Sequence, residues 1–111
     1  MKPRELPKAR KRFGQHFLRD TRVLADIADA LGDVSARTVV EIGPGRGALT
    51  DLLVQRAARV VAVEVDRDLV QHLRARYADR SNVEIVEGDV LDRPLAPLAN
   101  GPYVLAGNVP Y

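Results

Sequence analysis

From residue 38 onward, the chain alternates short β-rich segments with helix-patterned ones, and this alternation constrains the fold more than any other feature. The β-rich segments predict four strands, at residues 38–42, 59–65, 83–86 and 103–106. The second of these, RVVAVEV, is apolar on both faces, which is typical of a parallel strand covered by helices on each side. Strands that alternate with helices form parallel sheets with right-handed crossovers. The sequence therefore predicts an α/β fold.

Helical spacing of apolar residues predicts three helices, within residues 23–31, 49–57 and 69–77. Asp20 or Thr21 can cap the first helix, which is expected to end at Gly32. Pro94 and Pro97 are expected to break the stretch between the third and fourth strands.

Composition narrows the class of protein. The chain has 111 residues, of which 46% are hydrophobic and 29% charged, as in one globular domain. No apolar run approaches the roughly 18 residues that a membrane span needs. There is no cysteine, which excludes disulfides and thiolate metal sites, and the only two histidines, His16 and His72, lie far apart. We expect a cytoplasmic protein with neither a metal site nor a membrane segment.

The first twelve residues form a basic segment. They carry six Lys and Arg residues against Glu5, a net charge of +5, whereas residues 13–111 sum to −3. Pro3 and Pro7 disfavour a helix, so residues 1–12 are predicted to be a flexible arm. Such an arm is compatible with a solubilising tail or with binding to a phosphate backbone, and the arm alone does not decide between them.

A glycine-rich loop separates the first strand from the helix after it. Gly43 and Gly45 let the backbone approach a ligand closely, and the helix N-terminus supplies unpaired N–H groups. Glu64 ends the second strand, where a carboxylate can accept both hydroxyls of a ribose. These features predict an adenosine-type cofactor. The spacing of Gly43, Gly45 and Ala48 also satisfies a loose dinucleotide fingerprint, so a nicotinamide enzyme is an alternative.

Two further carboxylates favour a cationic cofactor. Glu41 precedes the glycine loop, where it would repel a pyrophosphate, and Asp89 follows the third strand, where it can accept a hydrogen bond from an adenine amino group. Together with Glu64 they predict a ring of acids at the carboxyl ends of three strands. Such a ring suits S-adenosylmethionine, which carries a sulfonium and an ammonium, better than a diphosphate.

The chain ends with Asn108-Val109-Pro110-Tyr111 after the fourth strand. Pro110 holds Val109 extended, so the Asn108 amide oxygen and the Val109 carbonyl can accept the two hydrogens of an exocyclic amine. Tyr111 offers a face on which a base can stack. This arrangement predicts catalysis by positioning and electrostatic preorganisation.

With these motifs in their order, the sequence resembles the ribosomal RNA adenine dimethyltransferases, the KsgA-type enzymes and their Erm relatives. The segments that carry the resemblance are residues 12–18, 41–47, 63–66, 88–89 and 108–111. The resemblance implies a Rossmann-like class I methyltransferase fold with its first four parallel strands in the order 3-2-1-4. It also implies S-adenosylmethionine as the cofactor.

The resemblance further implies roles for individual residues. His16 and Leu18 are expected to contact the methionine part of the cofactor, although family members often have Asn at the position of His16. Glu64 holds the ribose, Asp89 binds the adenine amine, and Gly43 and Gly45 line the cofactor. Asn108 touches both cofactor and target, and with Pro110 and Tyr111 forms the catalytic motif.

By the same resemblance, the expected reaction is dimethylation of the exocyclic nitrogen of adjacent adenines in small-subunit rRNA, as a step of ribosome biogenesis. The partner is then the small ribosomal subunit, and the full-length protein is expected to be a monomer. An Erm-type enzyme that modifies large-subunit rRNA is one alternative, and an inactive RNA- or cofactor-binding module is another.

Family members continue past the tetrapeptide into a seven-stranded sheet and a helical RNA-binding domain. Residues 13–111 are therefore expected to be the N-terminal part of the methyltransferase domain. The fourth strand is then an edge strand on which Val104 and Leu105 are poorly buried. We expect the 111 residues by themselves to bind the cofactor weakly and to turn over poorly.

Overall fold

The computed structural model describes residues 20–107, which form a parallel sheet with helices on both faces. The four strands are β1 (Thr38–Ile42), β2 (Arg59–Glu64), β3 (Val83–Glu87) and β4 (Val104–Gly107). The four helices in this part of the chain are α1 (Thr21–Ala30), α2 (Ala48–Arg56), α3 (Arg67–Arg76) and α4 (Leu95–Ala99). The strand order is β3-β2-β1-β4 and all pairs are parallel, which confirms the predicted α/β fold and order.

The register of the sheet brings the carboxyl ends of the strands level. Ile42 of β1 pairs with Val63 of β2 and with Gly107 of β4. Glu64, the last residue of β2, pairs with Glu87 of β3. The loops that leave these strands therefore start from one edge of the sheet, where ligands bind in folds of this class.

The core lies on both faces of β2, whose four central residues are at most 2% exposed. Val60 packs with Leu49 and Leu53 of α2 on one face. On the other face, Val61 packs with Ala99 of α4. The prediction that helices cover both faces of this strand is confirmed.

Aspartates begin two of the helices. The Asp20 side chain accepts from the Arg22 and Val23 N–H groups, so Asp20 is the cap of α1. Asp66 caps α3 in the same way. Each cap satisfies N–H groups that the first turn of a helix leaves without a partner.

The structure corrects several local predictions. β3 extends one residue beyond the predicted end, to Glu87, and β4 covers Val104–Gly107 where residues 103–106 were predicted. β2 ends at Glu64, and Val65 lies beyond the strand with 59% of its surface exposed, because the chain turns there into the Asp66 cap. The expectation that Pro94 and Pro97 break this stretch is wrong, because a short helix, α4, forms there. Pro94 is the residue before the helix and Pro97 lies in its first turn, where a missing N–H costs no helical hydrogen bond.

β4 forms one edge of the sheet in the described part of the chain. Leu105 is 55% exposed, as predicted, whereas Val104 is partly buried and packs against the core. No helix within residues 20–107 is long and apolar enough to cross a membrane. The predicted basic arm lies outside the described residues.

Candidate cofactor site

Main-chain hydrogen bonds join the three loops that follow β1, β2 and β3. The Gly43 N–H donates to the Val63 carbonyl at 3.0 Å, which ties the glycine loop to the end of β2. The Gly88 N–H donates to the Glu64 carbonyl, also at 3.0 Å, which ties the residue before Asp89 to the same point. The predicted cofactor residues of these three loops therefore lie at one edge of the sheet.

The glycine loop adopts a backbone that other residues rarely adopt. Gly43 and Gly45 have φ of 66° and 61°, in the left-handed region. Gly47, with φ of 97°, is the residue immediately before α2. The loop therefore presents bare backbone and a helix N-terminus at the edge where the strands end.

Glu64 is the best-organised polar group of the site. Glu64 is only 4% exposed, and each oxygen of its carboxylate accepts one main-chain N–H. Oε1 accepts from Gly45 at 3.0 Å and Oε2 from Asp66 at 2.9 Å. A carboxylate oxygen has two lone pairs, so each keeps one to accept a further hydrogen bond. The carboxylate can therefore accept two neighbouring hydroxyls without releasing the loop.

Asp89 is partly buried in the loop that follows β3. Its Oδ1 accepts from the Leu91 N–H at 2.9 Å, which closes a local turn. Within residues 20–107, no hydrogen bond is made by Oδ2. The turn therefore orients the carboxylate and leaves one oxygen to accept from an amine.

Glu41 does not join the predicted ring of charges. It is 1% exposed, on the face of β1 covered by α2, and its Oε1 accepts from the Thr50 hydroxyl at 2.5 Å. Burial raises the pKa of Glu41 to about 8, despite the opposing effect of the hydrogen bond from Thr50. The carboxyl is thus mostly neutral at pH 7 and holds the first turn of α2. The prediction that Glu41 belongs to a ring of charged acids is therefore wrong, and Glu64 and Asp89 remain as the predicted acids of the site.

Two exposed apolar residues accompany the acids and were not predicted as site residues. Val65 directly follows Glu64, and Leu91 lies two residues after Asp89; they are 59% and 88% exposed. The period-two pattern of RVVAVEV assigned Val65 to the strand. The Asp66 cap, which ends β2, was the signal that could have placed it in the loop.

Five of the predicted site residues lie outside the described part of the chain. They are His16, Leu18, Asn108, Pro110 and Tyr111. Their assigned roles stay predictions. The described chain ends at Gly107, which pairs with Ile42 at the edge that carries the glycine loop.

Residues 6–111 match the family model described as ribosomal RNA adenine dimethylase. The chain belongs to this family. The match covers the glycine loop, both acids and the final tetrapeptide, so the predicted family is confirmed.

Relatives within the family are similar over nearly the whole chain. The chain is 46% identical over 106 residues to ribosomal RNA small subunit methyltransferase A of Acidobacterium capsulatum, which covers 94% of the chain and 38% of that protein. The corresponding protein of Koribacter versatilis is 44% identical over 119 residues, covering 95% of the chain and 42% of that protein. The chain therefore spans about two-fifths of the length of these relatives.

Solved structures show the same fold. The 23S rRNA methyltransferase ErmE superposes with a TM-score of 0.76 and 36% identity, over 86% of this chain and 38% of that one. A dimethyladenosine transferase from Plasmodium falciparum gives a TM-score of 0.69 and 27% identity, over 83% of this chain and 33% of that one. The fold of this family member is the Rossmann-like fold of class I, S-adenosylmethionine-dependent methyltransferases.

Proposed function

We propose that the chain carries the cofactor site of an rRNA adenine N6,N6-dimethyltransferase that uses S-adenosylmethionine and acts on small-subunit rRNA. The observation that carries the proposal is the Glu64 carboxylate, whose two oxygens are aligned by the Gly45 and Asp66 N–H groups at the shared strand edge. Membership of the rRNA adenine dimethylase family supports the reaction class.

The described residues fit an adenosine group. The free lone pairs of Glu64 accept the two ribose hydroxyls, and Asp89 Oδ2 accepts from the adenine amino group. Val65 and Leu91 supply apolar surface next to these acids, against which a flat ring can pack. Gly43 and Gly45 line the methionine part with backbone. An acid at the end of the second strand also occurs in dinucleotide sites, so it is the family match that favours S-adenosylmethionine over a nicotinamide cofactor.

When bound, S-adenosylmethionine supplies a methyl group on a positively charged sulfur. The residues of the chain orient the acceptor. The Asn108 amide oxygen and the Val109 carbonyl accept the two hydrogens of the adenine amine, which favours the pyramidal nitrogen that must attack, and Tyr111 stacks on the base. His16 and Leu18 contact the methionine part. The target adenine must be unstacked to reach this motif.

The names of the relatives support a small-subunit target, because those proteins are described as ribosomal RNA small subunit methyltransferase A. Cations in residues 1–12 contact the RNA backbone in this proposal. The protein then works in the cytoplasm on the small ribosomal subunit, as a monomer when full length. The ErmE similarity favours a second candidate, an Erm-type enzyme acting on 23S rRNA.

Calorimetric titration tests the cofactor. We expect S-adenosylhomocysteine to bind and NAD to give no heat of binding under the same conditions. The matched control is the Glu64→Gln variant, which keeps the size of the side chain but loses its charge and one acceptor oxygen. Preference for NAD, or unchanged S-adenosylhomocysteine affinity in the variant, would contradict the proposal.

Primer extension on methylated RNA tests the target. Small-subunit and large-subunit rRNA from a strain lacking the endogenous dimethyltransferase are incubated with the full-length protein and labelled cofactor. We expect stops at two adjacent adenines of the small-subunit RNA. A stop at one adenine of the large-subunit RNA instead would establish the Erm-type candidate.

Deleting residues 1–12 is expected to reduce the salt dependence of RNA binding.

A further inference from the structure

A hydrogen-bonded cluster joins the last glycine of the loop to α2 and to the end of α3. The Tyr77 hydroxyl lies 3.0 Å from the Gly47 carbonyl and 2.6 Å from Asp51 Oδ1, and its single proton is shared between these acceptors. The Arg76 guanidinium pairs with both oxygens of the same Asp51. The end of α3 is therefore tied to the first turn of α2 and to the last glycine of the loop.

Gly47 has no room for a side chain at this contact. A Cβ placed on it would lie 2.5 Å from the Tyr77 hydroxyl and 3.2 Å from a Leu73 methyl group. Its φ of 97° is also in the region that favours glycine. The backbone of the loop thus rests directly on Tyr77, and the position of the hydroxyl determines where the loop can lie.

The loop is therefore held at two points. At the first point, the Gly45 N–H donates to the Glu64 carboxylate, which is the group assigned to the ribose. At the second point, the Tyr77 hydroxyl donates to the Gly47 carbonyl. Tyr77 is only 7% exposed, so no ligand at the strand edge competes for this hydroxyl. Burial, with the hydrogen bond to Asp51, raises the pKa of Tyr77, which keeps the hydroxyl a neutral donor at physiological pH.

We propose that Tyr77, supported by the Asp51–Arg76 ion pair, is a positioning residue that preorganises the glycine loop for the cofactor. The inference rests on the proposed cofactor site and adds to it a residue that does not touch the ligand. A loop held in its binding conformation loses less entropy when the ligand binds, so the clamp raises affinity without a direct contact.

The test is calorimetric titration of the purified protein with S-adenosylhomocysteine, beside thermal melting. Tyr77→Phe removes only the hydroxyl and keeps the ring in the core. We expect its dissociation constant to rise about fivefold, the equivalent of one net hydrogen bond. Asp51→Asn, which keeps the size of the side chain but releases Arg76, is a second variant and is expected to weaken binding in the same direction.

The matched control is Asn82→Ala. The Asn82 amide donates to the Val54 and Ala57 carbonyls and so holds the opposite end of the same helix, α2. We expect this variant to lower the melting temperature at least as much as Tyr77→Phe and to leave the dissociation constant within twofold. Equal loss of affinity in both variants would mean that Tyr77 acts through general stability, and this would overturn the inference.

A double-mutant cycle sharpens the test. Gly47→Ala is expected to weaken binding strongly in the unaltered protein, and less in the Tyr77→Phe background, where the closest clashing atom is gone. Additive effects would show that loop and hydroxyl are uncoupled and would overturn the inference. Absence of S-adenosylhomocysteine binding by the unaltered protein is a different result, because it removes the proposed function itself.

Discussion

Different side chains satisfy the ends of the helices at the two edges of the sheet. At the carboxyl ends of the strands, Asp66 accepts from main-chain N–H groups in the first turn of α3. At the amino ends, Arg59 donates to the Leu98 and Ala99 carbonyls at the end of α4, and Asn82 donates to the Val54 and Ala57 carbonyls at the end of α2. In a parallel α/β fold, the helix that follows a strand begins at the carboxyl end of the sheet and finishes at its amino end. Each end therefore needs the partner that its unsatisfied backbone groups lack.

The two ends differ also in burial. The buried polar residues of the described chain are Glu41, Thr50, Glu64 and Asp66, all at the carboxyl end. The donors at the amino end, Arg59 and Asn82, are partly exposed. Burying a carboxylate costs free energy, whereas leaving a polar side chain in water does not. The polar groups that are costly to bury are therefore concentrated at the end of the sheet where the cofactor site is proposed.

The largest expected effect comes from Glu64→Ala. It removes the proposed ribose acceptor and leaves the Gly45 and Asp66 N–H groups without their partner. We expect the dissociation constant for S-adenosylhomocysteine to rise about 100-fold, equivalent to roughly 3 kcal/mol, measured by calorimetry. Glu87→Ala is the control, because Glu87 is the register partner of Glu64 on β3 but is exposed. A similar loss in both variants would show that the effect is not local.

Asp89→Asn tests the proposed adenine contact. The asparagine can still accept from the Leu91 N–H, but its amide NH₂ replaces the oxygen offered to the adenine amine. We expect about tenfold weaker binding of S-adenosylhomocysteine. The analogue of S-adenosylhomocysteine that carries hypoxanthine instead of adenine has an oxygen in place of the amine. It is expected to bind the variant better than it binds the unaltered protein. If the substitution changes the affinities of both ligands equally, Asp89 does not contact the base.

Glu41 is expected to make stability depend on pH. Its pKa is raised from the ordinary 4.5 to about 8, so between these values the folded state binds a proton that the unfolded state has lost. The free energy of unfolding therefore falls as the pH rises through this window, by about 1.4 kcal/mol between pH 6 and 7. Denaturant melts at both pH values measure the fall. Glu41→Gln should remove it, and a persistent fall in that variant would assign it to another group.

The smallest expected effect compares two glycines with positive φ. Gly45 (φ 61°) belongs to the ligand loop, whereas Gly32 (φ 72°) follows α1, where an added Cβ would meet nothing within 4 Å. Alanine at either position should cost about 1 kcal/mol of stability, because a left-handed backbone strains it. Only Gly45→Ala should also weaken cofactor binding. Equal cofactor affinity in the two variants would show that the loop backbone is not part of the site.

Much of the fold could be predicted because its signals are local. The apolar runs around β1 and β2, the glycine cluster and the Asp20 cap each lie within a few consecutive residues. Boundaries were less certain: Val65 continues the alternation of β2, yet the Asp66 cap turns the chain away. Likewise, Pro97 breaks a helix only in its interior, and whether it lies in a first turn depends on where the helix begins.

The candidate site divides in the same way. Gly43, Gly45, Glu64 and Asp89 could be named because a strand end and a turn place them at the same edge in any fold of this class. Glu41 was wrongly assigned to the charged ring, because its charge depends on whether α2 covers it.

The sequence alone determined the parallel α/β arrangement and the residues that meet at the strand ends, since both follow from period and order along the chain. The tertiary structure decided which carboxyl is charged and which side chain holds the loop. Thr50 lies nine residues from Glu41, and Tyr77 lies thirty residues from Gly47. Burial and hydrogen bonding across such separations exist only once the helices have packed on the sheet, so no local pattern contains them.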